Sequence, residues 1–373
     1  MKKRLCSLIA FGIISVTALS ANACHKFLNR NFSEQSKTTM KELKVTTIKP
    51  TEAVKDLEII PTMNTVSNAK NRVWVGTFQL IWNDLIDELI KQPVEFVGTK
   101  STMAENLNKK EITTEDLSES SYYKKWGLAS PEMKKEIEKG IKEKFNETSD
   151  ILDSFDWTPQ AEKYFLYAML KKDFEYLEPF DKMPDATFTG SEGPVKYFGI
   201  DGDSKYSLRN TVKVLFYNNA NDYAVELRSK QGDIIDLYRS DDDKTFDLLF
   251  ADMQAKTEAF TGKKYLTGID RFKAPMIDFK SETEFPELCN KPIKNTHFMI
   301  SKTLETVQFK MDETGVKLKS EAGMMMMATS AGPSRDIPRY FYFNNTYVIF
   351  LIDHNKTKPY YAMRITDAKK IQK

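Results

Sequence analysis

Two stretches toward the C-terminal end carry the clearest periodicity in the chain. Val307, Phe309 and Met311 alternate with Gln308, Lys310 and Asp312, and this period of two predicts a half-buried strand. Tyr347 to Ile352 is an unbroken apolar run, which predicts a strand buried on both faces. Between them lies 316–338, rich in small residues and methionine, with nothing that would make it a core element. Connections in compact domains usually take roughly 4–6 residues, and a loop far beyond that is functional or disordered. Segment 316–338 is therefore expected to be a presented loop.

Upstream, Val73 and Val75 read as a short strand, and Phe78, Trp82, Leu85 and Leu89 follow at helical spacing on one face. Residues 98–129 are polar and expected to be exposed. Ser130-Pro131-Glu132 is a helix start, with a hydroxyl cap and a proline in the first turn. Met133, Ile137, Ile141 and Phe145 then form one stripe, so a docked helix is predicted over 131–146. Residues 211–218, 223–228 and 233–239 read as strands separated by Asn, Asp and Gly turns. The pattern predicts an α+β fold, with helices early and a large, mostly antiparallel sheet system later.

The N-terminus has a different character. Lys2, Lys3 and Arg4 precede an apolar run from Leu5 to Leu19, and Ala21-Asn22-Ala23 closes it with small residues around a cleavage point. This predicts a signal peptide over 1–23, too short for a membrane span, and an exported protein: extracellular, periplasmic or at the cell surface. Cleavage after Ala23 would leave Cys24 first, as in a lipoprotein whose cysteine receives the lipid anchor to the membrane; a freely secreted chain beginning with cysteine is the other reading. Residues 24–70, polar with Pro50 and Pro61, are expected to form a tether or extension, leaving 71–373 as the folded domain.

Composition narrows the chemistry. The chain has 373 residues, enough for a substantial core. Its formal charge of +2 falls close to zero once the basic N-terminus is removed, so nothing points to nucleic acid as a partner. After processing only Cys24 and Cys289 remain, which leaves open a single bridge or a free Cys289 and excludes a disulfide framework. His25, His297 and His354 sit in no nucleophile or metal motif, and no glycine-rich phosphate loop is present. Asp201-Gly202-Asp203 and Asp241-Asp242-Asp243 lack the ligand spacing of a calcium loop and read as solvated turns. Met324 to Met327 reads as adaptable apolar surface in preference to a soft metal site. No enzyme, cofactor or metal is expected.

The flanks of the loop resemble the serpins, the suicide-type serine protease inhibitors. Ile300, Ser301, Lys302, Asp312, Glu313 and Gly315 match the family's "ISK…DEEG" strand and hinge. Phe343, Asn344, Tyr347, Phe350, Ile352, Pro359, Tyr361, Met363 and Ile365 match its closing pair of strands. Upstream, 137–153 and 162–181 are similar to the family's helix, turn and strand, with Leu166, Pro179 and Phe180 in register; 223–233 and 272–285, with Pro275, are similar to two further strands. The likeness covers 130–367, and 71–92 loosely.

The resemblance implies a serpin-like fold with an exposed reactive-centre loop, and a monomer that inhibits a serine-type or cysteine-type endopeptidase as a suicide substrate. In that mechanism the cut loop inserts as a new strand of the main sheet. It implies a hinge of Glu313, Gly315, Val316, Leu318, Ser320 and Ala322, and a scissile pair Thr329 and Ser330. The chain departs from the family here. The family's small hinge residues are replaced by Val316, Lys317, Leu318, Lys319 and Glu321, although Lys317, Lys319 and Glu321 share one face at period two. Large side chains forced into a packed core cost about 1–3 kcal/mol each. Two positions that gate sheet opening in the family, usually histidine and asparagine, are Glu305 and Ala168. A non-inhibitory serpin-fold exported binding protein or surface lipoprotein is the alternative reading.

Overall fold

The computed structural model describes Val54, residues 56–316 and residues 337–372. The expected signal peptide, Cys24, most of the tether, and Leu318, Ser320, Ala322, Thr329 and Ser330 lie outside the described residues. In chain order the strands and α-helices are β1 (Leu57–Ile59), β2 (Asn71–Val75), α1 (Thr77–Asp84), α2 (Thr102–Leu107), β3 (Tyr122–Leu128), α3 (Pro131–Phe145), β4 (Tyr164–Leu170), β5 (Phe174–Glu175), β6 (Asp181–Thr187) and β7 (Pro194–Ile200). They continue with β8 (Val212–Asn219), β9 (Asp222–Arg228), β10 (Ile234–Arg239), α4 (Phe246–Ala259), β11 (Arg271–Pro275), β12 (Ile277–Thr283), β13 (Glu305–Met311), β14 (Gly315–Val316), β15 (Tyr340–Tyr342), β16 (Tyr347–Ile352) and β17 (Pro359–Ile365).

Helix α3 forms for the reasons its sequence offers. The Ser130 hydroxyl accepts the Met133 N–H at 3.2 Å, Pro131 sits in the first turn, and Asn146 closes the helix in the left-handed conformation. Met133, Ile137 and Ile141 are buried with Phe165 and Tyr167 of β4, so the helix covers one face of the β3–β4 pair. Phe78, Trp82 and Leu85 likewise fall on one buried stripe, and the helix continues past Asp84 as a π turn over Leu85–Ile90.

The main core belongs to a seven-stranded sheet in the order β1-β2-β17-β16-β10-β9-β8, antiparallel except for β1 with β2. All six residues of β16 are buried, and it is paired along its length with β10 on one side and β17 on the other. An uninterrupted apolar run is the sequence of a strand with neighbours on both edges and cover on both faces. A second sheet has the order β15-β11-β7-β6, and a third β12-β13-β14-β5; β3 and β4 pair with each other.

Two expectations fail. The polar stretch assigned to a tether as far as residue 70 contains β1, whose parallel pairing with β2 carries Ile59 and Ile60 into the core along with Met63. Its apolar side chains, Leu57, Ile59, Ile60, Met63 and Val66, fall at no sustained period. Residues 98–129 are not simply an exposed connection, because Leu107, Ile112 and Leu117 are buried and β3 lies at the end of that segment. The two acidic clusters are solvent-exposed as expected, the first in a bend where Asp201 Oδ1 accepts the N–H groups of Asp203 and Ser204, the second in an extended connection where Asp241 and Asp243 pair with Arg239 and Arg72.

Candidate functional site

The segment read as the presented loop is held at both of its described ends. On the entry side, β13 alternates as its sequence demands: Glu305, Val307, Phe309 and Met311 are buried, and Thr306, Gln308 and Lys310 face the other way. It pairs with β12 through all seven residues, from Glu305 opposite Thr283 to Met311 opposite Ile277. Phe309 stacks on Tyr361 of β17 at 4.6 Å, which seats this sheet against the seven-stranded one.

After Met311 the chain reverses. Asp312 Oδ1 accepts the Thr314 N–H at 2.9 Å, and the Asp312 N–H donates to the Gly315 carbonyl at 3.0 Å. Glu313 and Thr314 present their carbonyls to the N–H groups of Phe180 and Tyr176, at 2.8 and 3.1 Å, and the Glu313 carboxylate lies 3.2 Å from Lys182. Gly315 and Val316 then form β14, antiparallel to β13 through Met311 and to β5 through Phe174 and Glu175. A Cβ on Gly315 would meet the Phe174 carbonyl oxygen at 2.4 Å, so the close approach of β5 requires glycine. Val316, assigned to the loop from sequence, is instead a buried strand residue, because its side chain joins Met311 and Phe174 in the core.

Among the described strands β13 is thus paired on one edge throughout and on the other only at Met311. Strand β4, which reaches β5 after three residues, pairs only with β3 among the described strands. Strand β14 lies at the end of the β13 edge that is otherwise unpaired among the described strands. Lys172, between β4 and β5, bridges Asp233 and Asp353 at 2.7 Å each, and Asp353 also accepts from Ser118 and Ser121. Burial pushes the Asp353 carboxyl up, but Lys172 and Ser118 outweigh it and hold the group below the usual range. This cluster ties the ends of β3 and β4 to the seven-stranded sheet.

The exit end is anchored by an ion pair. Ile337 is 87% exposed, and two residues later Arg339 is locked onto Asp270, which is only 1% exposed. Asp270 accepts the Arg339 N–H and guanidinium at 2.8 Å and the Thr267 N–H at 2.7 Å, while Arg339 also donates to the carbonyls of Lys263 and Tyr265. Burial alone would raise the Asp270 pKa, but Arg339 and the two amides prevail and lower it. Strand β15 then pairs parallel to β11, with the Lys273 ammonium between the rings of Tyr197 and Tyr342 at 4.7 and 4.9 Å.

Of the residues singled out from sequence, Glu313, Gly315 and Val316 come together beside the end of β13. Ala168 lies on β4 opposite Lys124, and Glu305 is buried at the far end of β13. The sequence reading missed Asp270 and Arg339, and Phe174 and Glu175. Arg339 stands alone after a polar stretch, but nothing local names a partner 69 residues away. Among the described residues no group of three His, Cys, Asp or Glu side chains could hold a metal ion, and no helix is long and apolar enough to cross a membrane.

No family model matches the sequence, and no curated protein does. Solved structures do match. The thermophilic serpin tengpin in its native state is 12% identical, with a TM-score of 0.50 over 82% of this chain and 90% of that one. Serpin48 of the insect Tenebrio molitor is 12% identical, with a TM-score of 0.46 over 80% and 92%. Human thyroxine-binding globulin complexed with thyroxine is 8% identical, with a TM-score of 0.41 over 76% and 94%. With its few helices and its large and mostly antiparallel sheets, the chain has a divergent serpin fold.

Proposed function

We propose that the protein is a suicide-substrate inhibitor of an endopeptidase of the serine or cysteine class, attacked within 317–336, with Thr329–Ser330 as the scissile pair. The observation that carries this reading is β14, a two-residue strand already seated between β13 and β5 at the head of an edge that is otherwise unpaired. Exposed ladder groups on a strand edge are a template for a further strand. Val316 faces the core, so lengthening β14 at period two would turn Leu318, Ser320 and Ala322 inward and Lys317, Lys319 and Glu321 outward. The charged side chains would then remain solvated. Leu318 is the one large side chain of those three, at a cost of about 1–3 kcal/mol if it overpacks.

The test uses the full chain and a panel of serine and cysteine endopeptidases. Inhibition predicts a covalent complex that survives boiling in detergent, and a chain cut within 317–336 that melts well above the intact one. Cleavage without complex and without a rise in melting temperature would overturn the reading and favour a non-inhibitory exported binding protein, for which the bulky hinge speaks. Export and lipidation at Cys24 rest on the N-terminal pattern alone. Loss of fatty-acid label in Cys24→Ser would support the anchor, and an unlabelled wild-type chain would refute it.

A further inference from the structure

Strand β3 pairs with β4 through all seven of its residues, from Tyr122 opposite Leu170 to Leu128 opposite Tyr164. Its other edge meets no strand among the described residues. The Lys171 N–H donates to the Ser121 carbonyl and the Ala129 N–H to the Lys163 carbonyl, so the odd-numbered residues between them are the ones bonded to β4. Tyr122, Lys124, Trp126 and Leu128 therefore turn their N–H and C=O groups to the free edge, where no described residue pairs with them. Lys124 reaches Asp84 of α1, which puts the side chains of these four residues on the face toward α1, while Tyr123 packs with α3 on the other.

A bare edge is a template for another strand, and the remaining outer strands are guarded against it. Strands β1 and β15 are three residues long, β8 is broken by two register shifts, and β6 carries Pro184 within a register shift. Strand β12 sets Asp278, Lys280 and Glu282 on its more open face. Strand β3 has no proline and no register shift, and it leaves Trp126 37% and Leu128 55% exposed. Its two lysines would repel a second strand if they were free. Both are engaged within the chain, Lys124 with Asp84 at 2.6 Å and Lys125 with Glu136 of α3 at 2.5 Å.

The strand is also complementary to itself. Two copies set antiparallel about Lys125 place Tyr122 opposite Leu128 and Lys124 opposite Trp126, once on each side of the centre. All four residues face the free edge, so each opposed pair can exchange both N–H···O=C bonds. On the face toward α1 a tyrosine ring then meets a leucine and an indole meets a lysine stem, while Tyr123 meets Gly127 on the other. Lys125 meets its own copy at the centre with Glu136 beside each. We propose that β3 is a self-association surface, through which two copies of this chain join edge to edge over 122–128 and merge their β3–β4 pairs into one sheet. Such a contact uses the same patch twice and closes as a dimer, in place of the monomer that the family resemblance implies. It uses no residue of 317–336 and stands whether or not the chain inhibits a protease.

Analytical ultracentrifugation of the full chain carrying Cys24→Ser, so that neither a lipid nor a Cys24 disulfide takes part, tests this from low to high micromolar concentration. A monomer–dimer equilibrium is expected, and the amides of Lys124 and Trp126 are expected to gain protection from hydrogen exchange as the dimer fills. Trp126→Lys sets a new charge against Lys124 of the other copy and is expected to weaken association by about tenfold or more. Leu128→Lys, at a more exposed position, serves if that chain folds poorly. A monomer at every concentration would overturn the proposal and leave the edge to a peptide of another protein. A dimer that both lysine variants leave intact, or one that forms without new protection at Lys124 and Trp126, would overturn it as well.

Discussion

The seven-stranded sheet and the sheet that contains β13 use the same kind of residues to opposite ends. In β16 every residue is buried and both edges are paired, so its backbone groups are satisfied within the sheet. In β13 the inward face is equally apolar from Val307 to Met311, yet among the described strands one edge is paired only at its last residue. Burial of side chains and completion of the ladder are therefore separate properties. The first sheet has both and holds the fold. The second has the first, but most of one edge of β13 is unpaired among the described strands.

The largest effect expected from this contrast is in the cores of the two sheets. Phe350→Ala in β16 removes a fully buried ring packed against Phe250 at 5.0 Å and is expected to cost about 3–5 kcal/mol in urea unfolding. Phe309→Ala in β13 is expected to cost less, because a strand with one free edge relaxes around the cavity. Equal costs would break the comparison.

A smaller effect separates the two buried acids. Asp236 of β10 is pushed up to about 8 by burial and then by Glu226, against Lys213. Its contribution to stability is present below the ordinary aspartate range and is lost as pH rises through about 8, a few kcal/mol at most. Because β10 is paired on both edges, this loss is expected in global unfolding and is removed by Asp236→Asn, whereas Glu305, pushed up to about 8 by burial against the Phe78 amide, is expected to lose its contribution locally in β13. A thermal denaturation series over pH on Asp236→Asn and Glu305→Gln sharpens the distinction, and identical profiles would erase it.

The smallest effect is at β14. Gly315→Val places a side chain against the Phe174 carbonyl and is expected to expel β14 at a cost of about 1–3 kcal/mol, leaving the seven-stranded sheet unchanged. Lost amide protection at Val316, with protection kept in β16, is the signature. Unchanged protection at Val316 would show that β5 gives way instead.

Much of the scaffold was legible in local pattern. The alternation in β13, the apolar run of β16 and the capped stripe of α3 each record an environment that repeats along a single element. What escaped depends on distant partners. Strand β14 is two residues long and exists only because β13 and β5 stand on either side of it. Strand β1 lies in a polar stretch and exists because β2 offers it an edge. The Asp270–Arg339 pair joins groups far apart in the chain, and no periodicity reports it.

The sequence by itself determined the α+β class, the strands that flank 316–338 and the helix 131–145, because side-chain periodicity and capping act within a few residues. Only the tertiary structure decided that β13 is paired on its second edge at Met311 alone among the described strands, that Gly315 and Val316 sit between β13 and β5, and that Arg339 meets Asp270. Each of these depends on which edges and which side chains meet in space, and long-range pairing leaves no mark on the pattern of a single strand.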